Sequence, residues 1–153
     1  MSEEKVEVLE KVKERKNIYS NADKNLKREI YLKINEESGM WEDAEKSEKG
    51  KEGVKTEELE FIKPWWTLSV KVDSFSTKLN ELGLRMQDPT IAVEMTIRYY
   101  LKKCSFYELK FEKDDEGFER ISDDQWEEMS GRDGIPPEVI LAMFRTYREV
   151  SEV

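Results

Sequence analysis

The sequence predicts an α+β fold: a strand–helix–helix centre, then a β-hairpin and two short helices, with a charged N-terminal extension. Three observations predict it. Between Thr67 and Lys103 the apolar spacing changes from every second residue to every third or fourth, which is the change from strand to helix period. After Cys104 alternation resumes on both sides of a turn that ends in Gly117. Before Phe61 charged side chains dominate and apolar ones are sparse.

The elements follow in order. Residues 3–16 have a narrow apolar stripe of Val8, Leu9 and Val12, and Glu7 and Lys11 form a favourable i,i+4 pair, so a marginal helix is expected. Ile30, Leu32 and Ile34 share one face of a strand over residues 29–35. Residues 43–59 contain almost no apolar side chain and two glycines, and read as a mobile linker. Leu68, Val70 and Val72 alternate with Thr67, Ser69 and Lys71, which reads as a strand with one apolar face. Asp73 or Ser74 then opens a helix carrying Phe75, Leu79, Leu82 and Met86, with Gly83 inside it. Asp88 caps a second helix, and Pro89 suits its first position. That helix carries Ala92, Val93, Thr96, Ile97, Tyr100 and Leu101 and ends near Lys102 and Lys103. A hairpin covers residues 106–121 around Asp114-Asp115-Glu116-Gly117. Ser122 and Gln125 fit a capping box for a short helix with Trp126 and Met129. Pro136-Pro137 opens the last helix, whose Ile140, Met143, Phe144 and Tyr147 follow the i, i+3, i+4, i+7 spacing. Three segments result: a charged region over 1–60, the central segment 61–103, and an acidic segment 104–153 that packs with the centre or apart from it.

Composition narrows the function classes. The chain has no histidine and one cysteine, Cys104. That removes histidine-dependent nucleophiles, imidazole zinc sites and single-chain thiolate clusters. The expectation is a protein with no enzymatic activity, no metal and no cofactor. Asp114, Asp115 and Glu116 read as a hairpin tip rather than a cation site, and Asp123 and Asp124 as helix-start charges. Cys104 reads as inert. Arg145 and Arg148 lie opposite the apolar stripe of the last helix and read as solvated. The acidic start MSEEKVEVLE has no apolar core, and no run spans a bilayer, so a cytoplasmic location is expected. Glu and Lys together number 44 while Gln and His number 2, the bias of thermophilic proteins.

Charge is unevenly placed. The chain carries −9, yet residues 61–103 hold seven basic and four acidic side chains, whereas 104–153 hold six and fourteen. This local basic character, with the strand–helix–helix pattern, makes residues 67–103 resemble the ribbon-helix-helix family of DNA-binding proteins. The resemblance is one of pattern and covers about a quarter of the chain. It implies a homodimer whose two strands pair into a ribbon that enters the major groove of double-stranded DNA. Leu68, Val70 and Val72 would then form the dimer core, Thr67, Ser69 and Lys71 would face base edges, and Thr90 would help hold a phosphate at the start of the second helix. The function it implies is transcriptional regulation. The rival reading is a non-enzymatic α+β interaction or structural protein, with residues 104–153 meeting a protein partner and residues 67–72 an ordinary strand. Trp65 and Trp66, behind Pro64, read as core and rim of one domain, with a stacking platform for bases or a partner hot spot as the alternative.

Overall fold

A computed structural model describes residues 25–79 and 82–151. The helix expected over residues 3–16 lies outside them. Mixed α+β architecture is present, built on a four-stranded antiparallel sheet with four α-helices among the described residues. The sheet strands are β1 (Asn25–Ile34), β2 (Trp41–Asp43), β3 (Lys55–Ile62) and β6 (Leu101–Cys104), in the order β2-β1-β3-β6. Two short hairpins complete the strands: β4 (Thr77–Leu79) with β5 (Arg85–Gln87), and β7 (Phe111–Lys113) with β8 (Glu119–Ile121). The helices are α1 (Trp66–Ser76), α2 (Pro89–Tyr100), α3 (Asp123–Ser130) and α4 (Pro137–Ser151).

The alternation of β1 puts Ile30 and Leu32 on the face that also carries Leu59 and Phe61 of β3 and Leu101 and Cys104 of β6. These side chains bury against Ile97 and Tyr100 of α2 and Val139, Met143 and Tyr147 of α4. Tyr147 bridges the layers. Its ring lies 5.4 Å from Phe61 and stacks on Tyr100 at 4.7 Å. Burying each of these large side chains contributes about 1.5–3 kcal/mol. The opposite face of the sheet, with Lys27, Glu29, Glu58 and Lys103, is turned to solvent.

Several expectations are corrected here. Residues 67–72 are helical, inside α1, and form no strand. Leu68, Val72 and Ser76 are the buried side chains, at i, i+4 and i+8, which is a helical stripe. The same residues also satisfy alternation through Leu68, Val70 and Val72, but Val70 is 51% exposed. The helix expected from residue 75 to 86 stops at Ser76. The hydroxyls of Ser76 and Thr77 donate back to the Asp73 carbonyl, and Thr77 turns extended. Gly83, at φ 76°, lies in the turn of the β4–β5 hairpin, so the centre runs helix–hairpin–helix.

Residues 43–59 are not a linker throughout. A 3-10 turn at Lys46–Glu48 is closed by reciprocal bonds between Glu45 and Glu48, and β3 begins at Lys55, paired to β1 from Leu32 to Asn25. The charged start of β3 hides its alternation, because only Leu59 and Phe61 reach the core. The sheet draws its strands from the first two segments of the sequence, with Cys104 at the end of β6 as the one residue from the third. In the expected hairpin only residues 111–113 and 119–121 pair; residues 105–106 turn, Tyr107 makes an isolated bridge with Cys104, and 108–110 are irregular. The expected starts of α2, α3 and α4 are all present. Asp88 accepts from the N–H groups of Thr90 and Ile91, and the Ser122 hydroxyl accepts from the Gln125 N–H at 3.1 Å.

Candidate functional site

The residues expected to read DNA take separate places on the structure. Thr67 is exposed on the outer face of α1. Ser69 is half-buried, turned toward Tyr100. Lys71 points back to the protein. Its ammonium lies 3.2 Å from Asp114 Oδ2, contacts Glu116, and sits over the rings of Phe75 and Phe118 at 5.3 and 5.7 Å. The Glu116 and Asp114 carboxylates hold the Lys71 ammonium above its ordinary pKa. Thr90 is exposed at the start of α2, but its N–H already donates to Asp88 Oδ1 at 3.0 Å, as does that of Ile91 at 3.3 Å. The residues expected in a dimer core also part. Leu68 and Val72 are 2% and 4% exposed within the chain's own core, and Val70 faces out.

Three of the seven basic side chains of residues 61–103 are spent inside the molecule. Lys71 pairs with Asp114 and Glu116, Arg98 with Asp123 and Glu112, and Lys102 with Glu119. Each of these carboxylates belongs to the acidic segment after Cys104. The charge asymmetry seen in the sequence is therefore an internal complementarity between α1–α2 and the β7–β8 hairpin with the start of α3.

Asp114 is the hub of one such cluster. Burial pushes its carboxyl up, but the Tyr99 hydroxyl at 2.7 Å, the Phe118 N–H, the Lys71 ammonium and the Glu116 N–H outweigh that and hold it at about 2. This reads as the hairpin tip expected for residues 114–116, fastened to α1 and α2. Among the described residues no group of three or more acidic or thiol side chains is arranged to hold a metal ion. Cys104 is buried, and its thiol is pushed up to about 11 by that burial, which leaves it a poor nucleophile.

What remains as a surface with a signal is apolar. Of the nine strongly exposed large hydrophobic side chains among the described residues, six lie between Trp65 and Met86. Trp66 is 82% exposed and Val70, one turn later on the same face of α1, is 51%. Trp65 leans on Phe118, with ring centroids 6.5 Å apart, and is the rim residue of the pair. Leu82, Leu84 and Met86 are exposed on the hairpin that begins where α1 ends. From Pro64 to Ser76 the only charged residues are Lys71, which is paired, and Asp73. Sequence reasoning weighed Trp65 and Trp66 as a partner hot spot but placed Val70, Leu82 and Met86 on faces expected to be buried. The legible signal was the tryptophan pair in a charge-poor interval of a chain that is 40% charged.

No helix among the described residues is long and apolar enough to cross a membrane. No protein-family model, curated protein or solved structure matches this chain.

Proposed function

We propose that this is a non-enzymatic interaction protein that works as a homodimer, with the outer face of α1 and the β4–β5 hairpin as its contact surface. The observation that carries the reading is the concentration of six exposed large hydrophobics within residues 65–86. Patches of that kind mark contact surfaces on soluble domains. The occupant is a second copy for an electrostatic reason. Chains of −9 repel one another, and a two-fold interface sets each patch against itself. The stretch Pro64–Ser76 carries only Lys71, which is paired, and Asp73, so the outer face of α1 meets a copy of itself with little of that repulsion.

Light scattering on the full chain tests it. The wild type is expected to weigh as a dimer, and the double variant Trp66→Ser/Val70→Ser as a monomer with an unchanged melting curve. Leu141→Ser, an exposed apolar residue on α4, is expected to leave the dimer intact. A wild type that is monomeric at the highest concentration measured overturns the homodimer and leaves the surface for a different protein. Regulation of double-stranded DNA remains the second proposal for the chain. The helical state of residues 67–72 and the engaged Lys71 give it no surface at the positions first expected to carry it.

A further inference from the structure

The solvent face of the sheet carries a shallow cavity of about 540 Å³, a size that accepts a small organic ligand. Its lining is set by strand register. Lys27 of β1, Glu60 of β3 and Lys103 of β6 form one row across three strands. Arg28, Tyr31 and Lys46 complete the wall. Lys33, Lys49, Lys71, Arg98, Lys102, Arg120 and Arg145 each have a carboxylate partner, whereas Lys27, Arg28, Lys46 and Lys103 form no ion pair among the described residues. The nearby acids are partly engaged elsewhere. Glu60 accepts from the Asn25 amide at 2.9 Å, and Glu29 is held by Lys49 at 2.9 Å and by the Tyr31 hydroxyl at 2.8 Å. Glu58 is the remaining carboxylate.

Four cations without an ion pair line one cavity beside three carboxylates, two of which are engaged elsewhere, so an anion from outside the fold can supply their counter-charge. We infer that this cavity binds a small phosphate-bearing anion, with Lys27, Lys46 and Lys103 as point charges and Arg28, whose Nη1 donates to the Lys27 carbonyl at 2.7 Å, adding its remaining donors at the edge. Polyphosphate oxygens match this arrangement because they spread several negative charges over the distance between strands. Tyr31 places a partly exposed ring in the same wall, where a base or another planar group would lie.

Isothermal titration calorimetry on the full chain tests the inference, with inorganic tripolyphosphate, ATP and adenosine as separate probes. Tripolyphosphate and ATP are expected to bind and adenosine not to. Lys27→Glu/Lys103→Glu is expected to weaken both by roughly tenfold or more, since it reverses two of the four charges. Both side chains are exposed, so the fold is retained, and the melting curve checks this. Lys63→Glu, outside the cavity, is expected to change nothing. ATP bound more tightly than tripolyphosphate, with the difference lost in Tyr31→Ala, supports a nucleotide as the natural ligand. Equal affinities support an inorganic or simple phosphate compound. Absence of binding by both anions, binding that the charge reversal leaves unchanged, or binding of duplex DNA alone overturns the inference. The dimer experiment concerns another surface and is decided separately.

Discussion

Replacing Arg98 with alanine is expected to cost about 3–5 kcal/mol of stability, measured by urea unfolding. The side chain is 5% exposed, in the middle of the buried turn of α2. Its Nε and Nη2 donate to the Ile121 carbonyl at 3.0 and 2.9 Å, and Nη2 also donates to Asp123. Nη1 reaches Glu94, one turn earlier in α2, at 3.5 Å. One guanidinium thus ties α2 to the end of β8 and the first residue of α3. Alanine removes the donors, leaves the Ile121 carbonyl without them, and opens a cavity. Arg120 remains within 3.5 Å of both Glu112 and Asp123 and spares part of the electrostatic loss. Arg98→Met separates the causes, because it keeps most of the volume and none of the donors. It is expected to fall between wild type and Arg98→Ala. Arg98→Lys is expected to recover little, since an ammonium does not reproduce the fork that serves Ile121 and Asp123 together.

The second large effect is at Gly134. A Cβ there would lie 2.2 Å from the Met129 carbonyl oxygen and 2.3 Å from that of Glu128, both backbone atoms at the end of α3. The chain turns back on itself at this point. Gly134 N–H donates to Gly131 O at 3.0 Å, and Ile135 N–H donates to Met129 O at 2.7 Å. Gly134→Ala must move that backbone, which pulls buried Ile135 and the start of α4 out of place. The expected loss is about 3 kcal/mol or more, read as a drop in thermal midpoint. Gly53→Ala is the contrast. Nothing lies within 4 Å of its Cβ, so only the φ of 83° opposes a side chain, at a cost of about 1 kcal/mol.

These two positions show where the sequence was readable and where it was not. Helix starts were legible because capping chemistry is local: Asp88-Pro89, Ser122 with Gln125, and Pro136-Pro137 each act within one turn. β1 was legible because Ile30 and Leu32 both face the core. Residues 67–72 were misread because Leu68 and Val72 fit both periods, and only packing against α2 decides between them. β3 was missed because a strand whose first half is charged shows no alternation of hydrophobicity. Arg98 looked like one of seven basic residues available to a ligand, since beyond Glu94 nothing local shows that its other carboxylate partners sit 14 to 25 residues later in the chain. The apolar surface was illegible for a related reason. That Trp65, Trp66 and Val70 are all exposed depends on the rotation of α1, and that is set by Leu68 and Val72 reaching the core.

The direct test of the proposed contact is cross-saturation NMR on a mixture of labelled and unlabelled full-length chains. The account predicts attenuation at the Trp66 indole N–H and at the Val70 amide, with little effect at β2, the exposed sheet edge that offers the other obvious route to pairing. Attenuation centred on Trp41–Asp43, or no transfer between chains at all, would contradict it.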